Sequence, residues 1–219
     1  MEEGLRAIPS GALSRTFVTT IAVACVVAFL AACYGFYYFY NNIYPIALAL
    51  PVLAFLTAYP LLKRFTRLCH YYLGAALALA PVCAWVAISG QLNLPPLIMA
   101  AAVLLWTAGF DIIYACQDYD SDRATGVHSV PAKLGIPRAL WVARITHAAC
   151  AALLVTLGLV SPTLSTFYFA GVAIAIALLI IEHTLVKPHD LSKVTLAFFT
   201  INGIISLLLG TLGTLDIFF

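Results

Sequence analysis

Four carboxylates crowd into twelve residues of an otherwise apolar chain: Asp111, Asp118, Asp120 and Asp122, in DIIYACQDYDSD. If this stretch is helical, Asp111, Tyr114, Asp118 and Asp122 fall at i, i+3, i+7 and i+11 and share one face. Side chains four apart on a helix have Cβ atoms about 5–6 Å apart, so Asp118 and Asp122 can approach one cation together. Clustered carboxylates repel one another and need a positive partner. Mg²⁺ suits the pattern, because it is held by one or two carboxylates together with substrate phosphates and waters. Lys63, Arg64 and Arg67 offer positive charge for diphosphate oxygens. Tyr59 lies one helical turn before Lys63 and shares its face. The chemistry these residues predict is that of a Mg²⁺-diphosphate.

Other readings compete with it. A solvated acidic loop at a helix end accounts for Asp120 but not for Asp111, since a carboxylate near the membrane is costly and by default marks function. A calcium loop requires Gly after D-x-D-x-D and Glu at the twelfth position. The chain has Arg123 and Ser129 there, which excludes it. An ion relay in a transporter would run through several spans, whereas these acids bunch at one face. Lys63, Arg64 and Arg67 also read as topology determinants at a membrane surface, with Arg67 meeting lipid headgroups.

The elements that must carry these residues are membrane helices. Of 219 residues, 63% are hydrophobic and only 9% are charged, where a soluble domain carries about 25% charged residues. Mean hydropathy is +1.03. This excludes a secreted disulfide domain, a disordered chain and an ordinary soluble enzyme. The six cysteines form no C-x-x-C pair and read as small apolar helix residues. The first apolar run is too long for a signal peptide. Spans of about 20 residues are expected near 17–40, 43–62, 71–88, 95–116, 139–160, 164–186 and 194–215. The fold class is all-α, a polytopic transmembrane bundle of about seven spans in a single domain, 1–219. Arg6 and Arg15 precede the first span. Lys63, Arg64 and Arg67 fall in the second loop, Arg123, Lys133 and Arg138 in the fourth, and Lys187 and Lys193 in the sixth. Every second connection is basic, so the N-terminus, these loops and the Asp cluster are expected on the cytoplasmic side. His183 reads as a helix-end histidine facing headgroups.

The pattern Asp111-x-x-Tyr114-Ala115-x-x-Asp118-x-Asp120-x-Asp122, followed by Gly126 and Ser129, resembles the second aspartate-rich motif of the UbiA superfamily of intramembrane aromatic prenyltransferases. Tyr59-Pro60-Leu61-Leu62-Lys63-Arg64-Phe65-Thr66 is similar to that family's Y-P-x-x-K-R-x-T, and Arg6-Ala7-Ile8-Pro9-Ser10-Gly11 to its R-P-x-P-S-G. Within the family, the chain most resembles 4-hydroxybenzoate polyprenyltransferases. FDIIYACQDYDSD, the KRFT and LCH stretches and HSVPAKLG resemble the branch linked to futalosine-type menaquinone synthesis. The resemblance implies Mg²⁺-dependent transfer of a polyprenyl group from its diphosphate to an aromatic acid, 4-hydroxybenzoate or a dihydroxynaphthoate, in ubiquinone or menaquinone synthesis. It implies Asp118 and Asp122 as metal ligands with Asp111 in support, and Lys63 and Arg64 on the diphosphate. Tyr59 and Tyr114 are then placed to stabilise an allylic cation. The expected partners are a polyprenyl diphosphate, the aromatic acid and the bilayer, with no nucleic acid, in a bacterial inner membrane.

The chain departs from the family in one respect. The family has nine spans and a first motif, N-D-x-x-D-x-x-x-D, whereas no Asp precedes Asp111 here. Seven spans is nine minus two. The expectation is a chain that lacks the first two spans and first motif, with little or no transfer activity on its own. A catalytically inactive scaffold or lipid-diphosphate binder stands as the alternative.

Overall fold

The computed structural model describes residues 10–219. The expected functional segment at residues 6–9 lies outside them. Among the described residues, seven helices are long and apolar enough to cross a membrane: α1 (Arg15–Tyr40), α2 (Tyr44–Leu62), α3 (Cys69–Ser89), α4 (Leu94–Ala115), α7 (Ile136–Val160), α8 (Thr166–Leu185) and α9 (Val194–Phe218). Two short helices, α5 (Tyr119–Thr125) and α6 (Val130–Leu134), lie between α4 and α7. The protein is an all-α polytopic membrane bundle. The expected span limits move by at most three residues, as in 139 against Ile136 and 215 against Phe218.

Local chemistry sets the helix ends. The Ser14 hydroxyl accepts from the Phe17 amide and caps α1. Asn41 and Gly90 end α1 and α3 in the left-handed conformation, at φ 54° and 67°. Prolines open α2, α4, α6 and α7, where a missing N–H costs nothing. The Asn42 amide donates to the Val86 and Ala87 carbonyls at 2.8 and 3.0 Å, which pins the α1–α2 turn to the end of α3.

The interior is built around α4, whose residues from Thr107 to Ile113 are buried except Phe110. It packs on α3 on one side and α7 on the other. Gly74 permits the first contact: a Cβ there would stand 2.2 Å from the Leu104 carbonyl oxygen. Close backbone approach through small residues is how membrane helices gain packing where no water drives them together. Large apolar side chains on α1, including Phe17, Val23, Val27 and Phe39, remain exposed, as a lipid-facing surface requires.

A second buried set is polar. In α9 the residues Ala197–Ile201 form a π-helical turn. Just beyond it, the Asn202 amide donates to the Ala197 and Phe198 carbonyls, both at 3.2 Å, and to Glu182 Oε1 on α8 at 3.3 Å. Asn202 Oδ1 accepts from the Trp106 indole at 2.8 Å. The expectation for His183 is corrected here. It is half-buried and its ring meets His147 of α7 rather than headgroups, because a buried imidazole gains from a hydrogen-bond partner and each ring supplies one to the other.

Candidate active site at the basic end of the bundle

The site residues come from three stretches: the end of α2 with the loop to α3, the end of α4, and the long α4–α7 connection. At the end of α2, the Lys63 ammonium lies over the Tyr59 ring, 5.6 Å from its centroid. The helical turn between them brings them together as expected. Partial burial would lower the Lys63 ammonium, but Tyr59 and Asp111 reverse the sign and hold it above its ordinary value. Arg64 and Arg67 are exposed.

The acidic stretch is not one helix. The α4 helix stops at Ala115, and Cys116, Gln117 and Asp118 each bond three residues back, to Ile113, Tyr114 and Ala115. Asp118 then stands as the N-cap of α5. The physical reason is local. Aspartates are poor interior helix residues but favourable at helix starts, where their charge meets the positive end of the dipole. The break separates Asp111 from Asp118 and Asp122. Asp118 is exposed, Asp122 is half-buried, and Asp111 is buried. Arg123 lies over the Tyr119 ring of the same short helix.

Asp111 has a partner that the spacing did not reveal. Its Oδ2 stands 2.6 Å from His70 Nδ1 at the start of α3. The signal was available in principle, since a carboxylate buried at the end of a span needs a partner, and His70 opens the neighbouring apolar run. Tyr114 packs on Phe198, with centroids 4.4 Å apart. Phe198 meets Phe110 at 5.2 Å, and Phe110 meets Trp106 at 5.7 Å. This aromatic row leads from the acidic end toward an apolar cavity of about 320 Å³ lined by Trp106, Leu154, Leu179 and Ile205.

The acidic and basic stretches meet through backbone. The amide of His128 donates to the Lys63 carbonyl at 2.9 Å, and the amide of Val127 to the Asp122 carbonyl, also at 2.9 Å. Residues 126–130 thus bridge the two halves of the site. The carboxylates of Asp118 and Asp122 are hard oxygen donors of the kind Mg²⁺ takes. Among the described residues no three His, Cys, Asp or Glu side chains gather around a common point, so a cation here would draw its remaining ligands from substrate or water.

The acidic motif, the basic loop and the row of aromatic rings meet in an all-α polytopic membrane bundle. Residues 3–204 match the UbiA prenyltransferase family, and the chain belongs to it. It is 34% identical over 161 residues to a 4-hydroxybenzoate octaprenyltransferase of Cronobacter sakazakii, covering 74% of this chain and 55% of that one. An Enterobacter protein of the same name is 31% identical over 198 residues, covering 90% and 66%. The chain therefore spans between about half and two thirds of the length of these relatives. The solved apo structure of a UbiA homolog from Aeropyrum pernix K1 superposes with a TM-score of 0.84 at 29% identity, covering 96% of this chain and 76% of that one.

Proposed function

We propose that this chain carries the diphosphate-binding part of an aromatic polyprenyltransferase. The reaction moves a polyprenyl group from its diphosphate to an aromatic acid, 4-hydroxybenzoate or a dihydroxynaphthoate. The observation that carries the reading is the joining of Lys63 to the segment after Asp122 by the His128 amide. It supports a reading in which a cationic group and a carboxylate pair share one end of an apolar bundle. The basic end is the cytoplasmic one, by the distribution of Lys and Arg, and the membrane is the bacterial inner membrane.

Asp118 and Asp122 would hold Mg²⁺, which when bound neutralises charge on the leaving diphosphate. Lys63 and Arg64 bind its outer oxygens, and Tyr59 holds the Lys63 ammonium in place. The carbon–oxygen bond breaks with its electron pair going to the diphosphate, and charge stabilisation at the leaving group lowers that barrier. The allylic cation left behind lies near the Tyr114 face, which attracts positive charge. An electron-rich carbon of the acceptor ring then forms the new bond, and the ring gives its proton to the released diphosphate. The isoprenoid tail follows the aromatic row toward the apolar interior.

The test uses membranes containing this chain, labelled 4-hydroxybenzoate or dihydroxynaphthoate, a polyprenyl diphosphate and Mg²⁺. Prenylated ring product that disappears in Asp118→Ala and Lys63→Ala supports the proposal. Mg²⁺-dependent donor binding without transfer to either ring supports the non-catalytic lipid-diphosphate binder instead. Absence of both overturns the reading.

A further inference from the structure

The His70 ring is fully enclosed, at 0% exposure, and both of its nitrogens are engaged. Nδ1 faces Asp111 Oδ2 at 2.6 Å, and Nε2 accepts the amide proton of Val130 at 3.2 Å. A backbone N–H donates only to a nitrogen with a free lone pair. Nε2 therefore carries no proton, and Nδ1 carries the one that Asp111 accepts. One imidazole thus joins the start of α3, the end of α4 and the start of α6.

The Val130 amide ends the bridging segment 126–130. Within those five residues the chain touches the Asp122 carbonyl through Val127 and the Lys63 carbonyl through His128. The Cys69 thiol adds a weak contact to the His128 carbonyl at 3.6 Å. Ser129 is engaged in capping α6, its hydroxyl accepting from Ala132. Without the anchor at Val130, the register of this segment against Lys63 would rest on one backbone hydrogen bond and the thiol.

We propose that His70 is a positioning residue that fastens segment 126–130 across the basic and acidic halves of the site, and that Asp111 orients its ring rather than ligating metal. The effect on diphosphate binding rests on the transferase reading above; the fastening itself does not.

The experiment follows two readouts on the full chain in lipid nanodiscs: amide exchange in 126–130, and Mg²⁺-dependent binding of inorganic pyrophosphate. His70→Leu is expected to quicken exchange there and to weaken pyrophosphate binding, each by about tenfold, the effect of losing one buried hydrogen-bond partner. Exchange at the distant start of α8 stays unchanged. His70→Gln is expected to restore both readouts, because its NH₂ can donate to Asp111 and its carbonyl oxygen can accept from Val130. Should His70→Leu fail to fold, Val130→Pro deletes the amide donor at a first helical position where proline fits and also alters one buried side chain; the same loosening is expected. Asp111→Asn keeps an acceptor for Nδ1, so the segment stays protected and affinity changes by no more than about threefold. Unchanged exchange in both His70→Leu and Val130→Pro overturns the proposal, as does a Gln variant as loose as Leu. A large affinity loss in Asp111→Asn with the segment intact would make Asp111 a metal ligand and overturn its orienting role. If the unaltered chain binds no pyrophosphate, the transferase reading fails, and the exchange data alone decide the fastening.

Discussion

Nδ1 of His147 and Nε2 of His183 stand 3.0 Å apart in the interior between α7 and α8. His147 Nε2 lies 3.2 Å from the Trp106 carbonyl, which accepts only if that nitrogen carries the proton. The donor between the two rings is then His183. Beside them lies Glu182, whose Oε2 has no partner within hydrogen-bond distance and whose Oε1 is held by Asn202. The π-helical turn lies just before Asn202, whose amide meets both Glu182 and Trp106.

Asn202 therefore holds two otherwise unpaired groups. Asn202→Leu is expected to strand the Trp106 indole N–H and the Glu182 carboxyl in a water-poor interior. The cost is about 2–3 kcal/mol, as for other buried polar groups that lose their partner. Thermal unfolding in detergent should show it, and the indole emission of Trp106 should shift. Unaltered stability and emission would mean that water reaches these groups.

Two glycines fix how close α4 comes to its neighbours. Gly74→Ala sets a methyl 2.2 Å from the Leu104 carbonyl oxygen, and backbone cannot step aside. It is expected to cost about 3 kcal/mol, at the upper end of ordinary overpacking. Gly109→Ala meets the His147 ring at the same 2.2 Å. That ring can turn, so stability falls less, but its contacts to Trp106 and His183 break. Gly210→Ala meets nothing within 4 Å and serves as the control. Equal melting temperatures for all three would sink the close-approach argument.

At the opposite end of the bundle, Asp216 of α9 caps α8. Its carboxylate accepts from the amides of Ser165, Phe167 and Tyr168 and from the Ser165 hydroxyl, at 2.7 to 3.2 Å. A carboxylate here also meets the positive end of the helix dipole. Asp216→Ala should speed amide exchange at these three positions and lower the unfolding temperature, while Asp216→Asn keeps part of the protection. Pyrophosphate binding at the basic end is expected to be unaffected. A matched loss at both ends would show that the two ends are coupled through α8 and α9.

The spans were legible in the sequence because each demand of a bilayer leaves a local trace. Apolar runs of fixed length stop at Asn41-Asn42, Gly90 and Ser161-Pro162, and charge gathers in alternate connections. The Tyr59–Lys63 contact was legible for the same reason, being one helical turn. The helix break at Cys116–Asp118 was obscured by the i, i+7 and i+11 spacing of Asp111, Asp118 and Asp122, which suits a continuous helix equally well. His70–Asp111 and His147–His183 join residues 41 and 36 apart. No periodicity encodes such pairs, because they depend on which helices become neighbours. The demand for a partner was visible at Asp111; the partner's identity was not.

Lys63 supplies the last prediction, and its sign follows from its surroundings. Burial disfavours the ammonium, yet Tyr59 and Asp111 more than offset this, so the folded-state pKa lies above the ordinary 10.5. A group raised on folding contributes stability that is fully present below its unfolded pKa and is lost as pH rises through its folded value. The stability difference between the unaltered chain and Lys63→Met is therefore expected to stay level from about pH 7 to about pH 10, and to shrink only at higher pH. Paired thermal unfolding curves across that range would measure it. A difference that instead grows as pH rises toward about 10 would mean that desolvation outweighs Tyr59 and Asp111, because a lowered folded-state value makes the ammonium a cost that rising pH removes. Lys63 would then be partly neutral where the proposed reaction needs its charge.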